Sequence, residues 1–407
     1  MNKFDAHILV VDDDDGIRNL VKQYLNKNNL LVTTAISAED ANKKIEVVKF
    51  DLIVLDIMMP GKSGLEFTQE NKNTLNTPII LLTYHLLNTK VLSLLVSYID
   101  IFYIQRYFFK KINLMIPYDK RSGKIWYNND LVDWKDVKVH VLSHGLHYAS
   151  CVFEGERVYE SEIFKLEEHT TRFFYSAKRM GFKVPYSEEE INQACKQIVS
   201  VQNVKNGYVR PVAWRGSEMM AISAQQTKIH VAIASWEWGS YFDPKLKVEG
   251  IKLNISKWRR PSPDSIPWDT KAAGLYMICT LSKHEAESQG YTDSLMLDHE
   301  GNIAEATGAN IFFKDQSGEL HTPVPDSFLD GITRRTVIEI AKSKNIKVNE
   351  RKISPSELSK FVGCFLTGTA AEVTPVSTIA ENNYKVCNLI LDLSESYQAL
   401  VRKKKAA

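Results

Sequence analysis

Several features are scarce in this 407-residue chain, and their scarcity argues against whole classes of protein. There are five cysteines, widely spaced and without a C-x-x-C motif. A structural zinc site or a disulfide framework is therefore not expected, and a reduced, cytoplasmic setting is favoured. The formal net charge is only +2, so the chain should produce no strong field toward nucleic acids or membranes.

Long apolar runs are also lacking. The candidate at residues 91–104 is shorter than the roughly 20 residues that span a bilayer, and Asp100 interrupts it. The first residues lack the apolar core of a signal peptide. The basic run at residues 402–405 is typical of a solvated tail. We therefore expect a cytoplasmic protein with no membrane segment and no nucleic-acid partner.

The N-terminal part, residues 1–112, alternates predicted strands with predicted helices. Apolar runs at residues 7–11, 30–35, 51–56 and 78–83 are typical of buried strands, and segments with helical spacing lie between them. This alternation predicts an α/β fold with a parallel, doubly wound sheet. In such sheets ligands bind at the carboxyl ends of the strands.

Four polar residues follow these strands at the ends where a ligand would bind: Asp12, Asp13, Asp56 and Thr83. Clustered carboxylates repel one another unless a cation binds, and oxygen ligands suit Mg²⁺. On these residues the segment resembles the receiver domain of two-component response regulators, a flavodoxin-like fold. The resemblance implies Asp12, Asp13 and Asp56 as Mg²⁺ ligands, Asp56 as phosphoacceptor and Thr83 as the switch hydroxyl. It also implies a histidine kinase as a partner.

The receiver pattern is lost near residue 83. A receiver continues with a helix and then a fifth strand that ends in a lysine followed by proline. Residues 84–112 show no such pattern, and Lys110 and Lys111 are only candidates for that lysine. A shifted reading frame would produce such an abrupt change. We therefore expect this part to be inactive, with Mg²⁺ bound only if the receiver functions.

From about residue 113 the pattern changes, and Lys271 stands out. It lies in a run of small residues, 270–274, which leaves room for a bulky partner beside the lysine. A lysine that forms a Schiff base needs such room. Most lysines are solvated surface residues, so this position alone is weak evidence.

Four further elements strengthen the interpretation of Lys271 as a lysine that forms a Schiff base. Arg172 lies on a predicted amphipathic helix, residues 164–180, and a guanidinium offers a fork of donors to phosphate. The turn at residues 331–334 precedes a predicted helix, so its amides would form a phosphate cup. A second small-residue turn, within residues 367–372, can hold phosphate or a substrate carboxylate. Glu305 is a carboxylate in a predicted strand-to-strand bend.

With Lys271, these elements make residues 115–395 similar to the fold-type IV, class IV aminotransferases that use pyridoxal phosphate. The similarity is greatest to branched-chain amino acid aminotransferases. It implies a small α+β domain at residues 113–247 and a large cofactor-binding domain at residues 248–407. Lys271 would bond the cofactor and carry the proton between substrate and cofactor. The implied cofactor-binding residues are Arg172, Tyr276, Glu305, Gly331, Ile332, Thr333 and Thr369.

The resemblance also implies a set of substrate-binding residues. Tyr208 and the amides of Thr369 and Ala370 match contacts to the α-carboxylate, whereas Tyr148 and Arg210 match groups that accept a glutamate carboxylate. One pocket must take both leucine and glutamate, so apolar walls with a polar edge are expected. Some of these residues would come from a neighbouring subunit, so a homodimer is the smallest expected unit. The full set is Tyr148, Phe153, Gly155, Tyr208, Arg210, Trp238, Tyr241 and Ala370.

The implied reaction is transamination between L-leucine, L-isoleucine or L-valine and 2-oxoglutarate, which gives branched-chain 2-oxo acids and L-glutamate. D-Amino acid aminotransferases and aminodeoxychorismate lyases share the fold type. The segments at residues 152–155 and 208–211 favour the branched-chain members. A phosphorylation-gated signalling protein is a further alternative, but the pattern lost near residue 83 counts against it.

Two histidines, His144 and His147, lie three residues apart in an apolar neighbourhood. No cysteine or glutamate lies near them at the spacing of a zinc ligand. We predict that they are a packed pair in the core rather than a metal site.

Overall fold

The computed structural model describes residues 6–27, 30–71, 77–82, 117–242 and 245–402. The chain divides into two compact units, Met1–Lys111 and Ile112–Ala407, and each is described by itself. Some residues named above lie outside the described residues: Thr83, Lys110 and Lys111.

A four-stranded parallel sheet forms the centre of the first unit, in the order β2-β1-β3-β4. Its strands are β1 (His7–Val11), β2 (Leu31–Ala35), β3 (Leu52–Asp56) and β4 (Ile79–Leu82). The helices are α1 (Asp15–Lys27), α2 (Ala38–Val47) and α3 (Gly64–Asn71). Leu9, Ile53 and Leu55 in the central strands are fully buried. Strands covered on both faces are apolar throughout, and this arrangement confirms the predicted doubly wound α/β fold.

An antiparallel seven-stranded sheet forms the first part of the second unit. Its order is β6-β5-β11-β10-β8-β9, and β7 also pairs with β10. The strands are β5 (Lys124–Tyr127), β6 (Asp130–Asp133), β7 (Cys151–Phe153), β8 (Glu156–Tyr159), β9 (Glu162–Ile163), β10 (Gly207–Arg215) and β11 (Ile229–Glu237). The helices are α4 (His144–Tyr148), α5 (Leu166–Arg179) and α6 (Glu188–Val201).

Local sequence explains how these elements begin and turn. Asn128 and Asn129 take positive φ angles of 49° and 76°, which suits the tight turn of the hairpin formed by β5 and β6. Ser187 and Glu190 form a capping box at the start of α6. Helices α5 and α6 then pack on the sheet through apolar residues such as Phe173.

A mixed nine-stranded sheet forms the rest of the second unit, in the order β14-β13-β12-β19-β18-β15-β16-β17 with β20 beside β19. The strands are β12 (Ile251–Arg259), β13 (Asp293–Leu297), β14 (Ile303–Ala306), β15 (Asn310–Lys314), β16 (Leu320–Thr322), β17 (Val348–Glu350), β18 (Gly363–Gly368), β19 (Glu372–Ile379) and β20 (Asn382–Asn383). The helices are α7 (Leu246–Glu249), α8 (Met277–Ser288), α9 (Ile332–Ser343) and α10 (Asn388–Val401).

Helix α9 differs from the prediction in where it begins. It starts at Ile332 rather than Arg335, so Ile332 and Thr333 belong to its first turn. Glu305 lies within β14 rather than in the bend that follows it. Among the residues described, no helix is both long and apolar enough to cross a membrane.

The prediction of a packed histidine pair is only half right. His144 is buried, and its Nε2 lies 2.8 Å from the carbonyl oxygen of Ala221. His147 is exposed at the end of α4, where its Nε2 lies 2.8 Å from the carbonyl oxygen of Val141. In so short a helix, a spacing of three residues did not bring both rings to the core.

Candidate active site

A cavity of about 450 Å³ in the second unit collects most of the predicted site residues. This volume is within the usual range for a small-molecule site. The predicted residues that line it are Phe153, Gly155, Arg172, Tyr208, Arg210, Lys271, Tyr276, Glu305, Gly331, Ile332, Thr333, Thr369 and Ala370. Strand pairing across both sheets thus brings together residues that are far apart in the sequence.

Both backbone polar groups of Lys271 are held by residues of α5 and β7. Its N–H donates to the Oγ of Ser176 at 3.1 Å, and its carbonyl oxygen accepts from the N–H of Phe153 at 3.1 Å. Its Nζ donates to the phenol oxygen of Tyr276 at 2.9 Å and lies 4.9 Å from the centre of the Phe153 ring. These contacts hold the amino group at the cavity wall.

The Glu305 carboxylate is buried, and the charges of Arg260 and Lys271 act on it. The Nε of Arg260 lies 3.4 Å from its Oε1, and Asn310 donates to its Oε2 at 3.2 Å. Burial raises the pKa of Glu305 to about 7, while the charges of Arg260 and Lys271 oppose that rise. The group is therefore poised between its neutral and ionised forms at neutral pH.

Arg260 was not among the site residues predicted from the sequence. It is buried, and its Nη1 contacts the Sγ of Cys279 at 3.3 Å. The neighbouring Arg259 is exposed, although the two residues have the same type and almost the same context. We find no sequence signal that would have separated them.

Arg172 is fixed by a fully buried carboxylate that the sequence had not singled out. Its Nε and Nη2 donate to the two oxygens of Glu154 at 2.7 and 2.9 Å, and Nδ1 of His169 lies 2.8 Å from Glu154 Oε2. Burial alone would raise the pKa of Glu154, but the Arg172 charge and the His169 hydrogen bond hold it well below its ordinary value. The remaining Nη1 of Arg172 is buried without a hydrogen-bond partner among the described residues.

Further donors surround the start of α9. Gly331 precedes the helix, and the first amides of any helix lack partners within it. A side chain at Gly331 would come within 2.2 Å of the Oδ1 of Asn310, to which its N–H donates at 3.1 Å. Thr367 lies in the predicted turn segment, residues 367–372, but was not among the predicted cofactor-binding residues. Its buried Oγ1 has no partner in the described part of the chain. The one guanidinium nitrogen of Arg172 without a partner among the described residues, an open helix start and an unsatisfied hydroxyl fit a phosphate group well.

Part of the cavity wall combines aromatic and cationic groups. Arg210 lies over the Phe153 ring, 4.5 Å from its centre, and its Nη2 donates to the phenol oxygen of Tyr208 at 3.3 Å. A side chain at Gly155 would overlap that phenol, with Cβ only 1.7 Å away, so only glycine fits there. This side can contact an apolar side chain and a carboxylate at the same time.

Three predicted substrate residues are not among the residues that line the cavity. Trp238 packs edge-on against Tyr208 with ring centres 4.8 Å apart, and Tyr241 packs on Trp238 at 5.7 Å. Tyr148 is exposed at the end of α4 and stacks on His144 at 4.5 Å. Within one chain these residues form a second layer or an outer surface, and their contact with substrate stays a prediction.

The first unit has a separate cluster of carboxylates at the ends of β1 and β3. Oxygens of Asp12, Asp13 and Asp56 all lie within 4.8 Å of one another. Burial and the neighbouring carboxylates raise the pKa of Asp12 to about 6, and burial also raises that of Asp56. A divalent cation would relieve this repulsion.

Comparisons with known proteins agree with both resemblances, that of the second unit to aminotransferases and that of the first unit to receiver domains. Residues 151–379 match the family model for amino-transferase class IV, and residues 8–102 match the response regulator receiver domain. The receiver match continues to residue 102, beyond residue 83, where the receiver pattern was predicted to end. A probable branched-chain-amino-acid aminotransferase of Rickettsia conorii is 42% identical over 293 residues, which are 71% of this chain and 99% of that protein.

Two solved structures are also similar. The branched-chain amino acid aminotransferase of Escherichia coli has a TM-score of 0.67 at 34% identity, and the match covers 69% of this chain and 95% of that one. The branched-chain amino acid aminotransferase of Thermobaculum terrenum, in its form with pyridoxal phosphate, has a TM-score of 0.64 at 28% identity. That match also covers 69% of this chain and 95% of the other.

Proposed function

Because this chain belongs to the class IV aminotransferases, we propose that it transfers the amino group of branched-chain L-amino acids to 2-oxoglutarate, with pyridoxal phosphate as cofactor. The observation that carries the proposal is the shared cavity. The Nζ of Lys271, the buried carboxylate of Glu305 and the open start of α9 all face it. An amine, a ring-nitrogen partner and a phosphate site are the three contacts that this cofactor needs.

The cofactor supplies an aldehyde that bonds to amines and a ring that takes up the electrons released when the substrate Cα loses its proton. Lys271 supplies the base. Its Nζ would accept the proton released at the substrate Cα and hold it for return, and Tyr276 holds that Nζ at 2.9 Å. Since Ser176 and Phe153 fix the backbone of Lys271, only the side chain needs to move.

Glu305 would hold a proton on the ring nitrogen. It can do so only as a carboxylate, and burial works against that form. The charge of Arg260 favours the ionised form of Glu305. We therefore assign Arg260 as a residue that shifts Glu305 toward its charged form.

Arg172, Thr333, Thr369 and the first amides of α9 would bind the phosphate. Glu154 occupies two of the Arg172 donors and leaves Nη1 buried without a partner among the described residues. A phosphate oxygen would satisfy that donor. Burying it without such a partner costs on the order of 1–3 kcal/mol.

On the substrate side, Tyr208 and the amide of Ala370 would bind the α-carboxylate. The Phe153 ring would contact a branched aliphatic side chain, and Arg210 would pair with the second carboxylate of glutamate. Arg210 lies over Phe153, so both substrates would share the same space. In this way one pocket would serve both half-reactions.

We also propose a homodimer that places Tyr148 beside a neighbouring cavity. Several apolar side chains around α4 are exposed, with Val141 at 66%, Leu146 at 67% and Ile222 at 84%. Such patches are typical of protein interfaces. Sedimentation analysis of the purified chain tests this assembly, and a monomer at micromolar concentration would contradict it.

The absorption spectrum tests the enzymatic proposal. The purified chain should show a visible band that disappears with borohydride, after which the reduced cofactor should be found on Lys271 by peptide mapping. L-Leucine should shift the band in the untreated protein, and Lys271→Ala should abolish all of these signals. A response to D-alanine or aminodeoxychorismate but not to L-leucine would overturn the branched-chain assignment.

A further inference from the structure

The turn between β14 and β15, residues 306–309, forms part of the cavity wall. It is closed by the N–H of Ala306, which donates to the carbonyl oxygen of Ala309 at 2.8 Å. Thr307 and Gly308, at its tip, line the cavity. A side chain at Gly308 would meet no atom within 4 Å among the described residues. The turn therefore needs support from its other residues to keep one position.

Asp293, the first residue of β13, supplies that support. Its side chain is buried, and its Oδ1 accepts hydrogen bonds from the hydroxyl of Thr307 at 2.6 Å and from the N–H of Ser294 at 2.7 Å. Burial raises the pKa of Asp293, while the charge of Lys283 and these hydrogen bonds oppose the rise. One buried oxygen thus joins the turn to the neighbouring strand.

The turn also lies against the loop that carries Thr369 and Ala370. A Cβ on Gly368 would come within 3.3 Å of both the Cβ of Ala309 and the carbonyl oxygen of Gly308. These distances are shorter than ordinary van der Waals separations, so the two backbones are in direct contact. Because close-packed segments cannot move independently, the position of the turn sets the position of Gly368 and of the loop that follows it.

We infer that Asp293 and Thr307 are positioning residues that hold this turn against the loop at residues 369–371, and so set the affinity of the site for the substrate α-carboxylate. The inference rests on the proposed function, in which the amide of Ala370 binds that carboxylate. Asp293 is not among the described residues that line the cavity, so it acts through Thr307. The hydrogen bond between the two side chains is the contact that transmits its effect.

The residues on either side of the turn have separate supports. Glu305 pairs with Met296 in β13, and Asn310 pairs with Thr367 in β18. These strand pairs do not involve the hydroxyl of Thr307. Loss of that hydroxyl should therefore shift the turn and the loop while Glu305 keeps its place. Substrate binding should respond to the change more strongly than cofactor binding does.

Thr307→Val tests the inference, because it keeps the shape of the side chain and removes the hydroxyl. Steady-state kinetics of the full-length holoenzyme with L-leucine and 2-oxoglutarate gives KM and kcat. Both substrates carry an α-carboxylate, so both KM values should rise together by about threefold to tenfold, the effect of losing one hydrogen bond. We expect kcat and the affinity for pyridoxal phosphate to stay within about twofold of wild type.

The inhibition constant of 4-methylpentanoate provides an equilibrium measure. This compound has the carboxylate and the branched chain of leucine but no amino group, so it binds without reacting. Its inhibition constant against L-leucine should rise by the same factor as KM. Thr307→Ser keeps the hydroxyl and should restore both values to within about twofold of wild type.

Thr170→Val is the matched control. Thr170 also donates a buried side-chain hydrogen bond of 2.6 Å, to the Oδ1 of Asn192, but it lies in α5 and is not among the described residues that line the cavity. This variant should leave both KM values within about twofold of wild type.

Asp293→Ala removes the other partner of the hydrogen bond. It should raise both KM values as Thr307→Val does. The double variant that combines Asp293→Ala with Thr307→Val should be no worse than either single variant, because both changes remove the same contact.

Three results would overturn the inference. The first is a Thr307→Val enzyme whose KM values match those of Thr170→Val. The second is a Thr307→Ser enzyme as impaired as Thr307→Val, or a double variant in which the two effects multiply, since the two residues would then not act through their hydrogen bond. The third is a loss of kcat and of pyridoxal phosphate affinity as large as the rise in KM, which would indicate general damage. A wild-type holoenzyme with no activity toward L-leucine would refute the proposed function itself, and the inference would fail with it.

Discussion

The amino nitrogen of Lys271 lies 2.9 Å from the phenol oxygen of Tyr276, and both side chains line the same cavity. The two residues are brought together by the short 3₁₀ turn Ala273–Tyr276, which reverses the chain directly after the lysine. The small residues around Lys271 permit this turn. A single local segment therefore supplies both the amine and the group that orients it.

Replacing Tyr276 with phenylalanine tests that pairing. The Nζ of Lys271 would lose the acceptor that holds it, so we expect kcat to fall by about tenfold or more, since one hydrogen bond is lost at the reacting amine. Steady-state kinetics with L-leucine measures the effect. Tyr291→Phe, a change outside the cavity lining, serves as the control. An unchanged kcat in Tyr276→Phe would show that the contact has no role in the reaction.

Arg260 should control the pH dependence of the enzyme. Its guanidinium lowers the pKa of Glu305 against the larger effect of burial. Without that charge the pKa of Glu305 rises, so the carboxylate forms only at higher pH. In Arg260→Met we expect the acidic limb of the pH profile of kcat/KM to shift to higher pH by about one unit or more.

The exposed Arg259 provides a control for this experiment. Its Nη1 contacts only the backbone carbonyl of His299, at 3.3 Å, among the hydrogen bonds described for it. Arg259→Met should leave the pH profile unchanged. Equal profiles for the two variants would refute the assignment of Arg260.

Ser176 should position Lys271 through its backbone. Ser176→Ala leaves the N–H of Lys271 without its acceptor in a buried site, which should cost about 1–3 kcal/mol of unfolding free energy. We also expect kcat to fall, because the lysine backbone would no longer be fixed. Urea unfolding and steady-state kinetics measure the two effects together.

Ser282→Ala is the comparison for Ser176→Ala. Ser282 is equally buried, but its hydroxyl donates to the carbonyl of Ile278 within α8 and does not contact the lysine. This variant should keep the kcat of wild type. A similar loss of kcat in both serine variants would contradict a specific role for Ser176.

Glu156 should make the protein less stable at high pH. Both carboxylate oxygens are buried without hydrogen-bond partners among the described residues, and burial together with nearby Glu154 raises its pKa well above the ordinary value. The folded state therefore holds this proton more tightly than the unfolded state does. The proton on Glu156 therefore stabilises the folded state. This stabilisation is complete when the pH is below the pKa of Glu156 in the unfolded chain, about 4.5, and it is lost as the pH rises toward the pKa of Glu156 in the folded protein.

Glu156→Met removes this titration and keeps a side chain of similar length. Its stability relative to wild type should increase with pH above about 4.5, by at most about 1.4 kcal/mol for each pH unit. Unfolding measured from about pH 5 to about pH 8 checks the trend. A constant difference across that range would show that Glu156 does not titrate as described.

The receiver part should not accept a phosphoryl group. The carboxylates of Asp12, Asp13 and Asp56 are close enough to share a cation. However, the sequence after residue 83 lacks the lysine-proline strand end that the resemblance requires. We expect acetyl phosphate with Mg²⁺ to leave the intact mass unchanged. Stoichiometric labelling in wild type that is absent in Asp56→Asn would show that the domain is active.

Much of the site could be predicted from local sequence. Lys271 among small residues, the glycine before α9 and the second small-residue turn depend on short-range steric requirements. The alternation of apolar runs in the first unit likewise predicts strands and helices, because buried parallel strands need continuous apolar surface. Features of this kind can be identified before any long-range contact is known.

The tertiary structure alone decided which of several similar residues reached the site. Arg260 is buried beside Glu305 and Arg259 is exposed, although the two are adjacent in the sequence. His144 is buried and His147 is not. Asn310 joins Glu305 to Gly331 only because β14 and β15 meet at the start of α9. Burial and partner choice depend on contacts between distant segments, and these determine charge state and position in ways that local sequence does not encode.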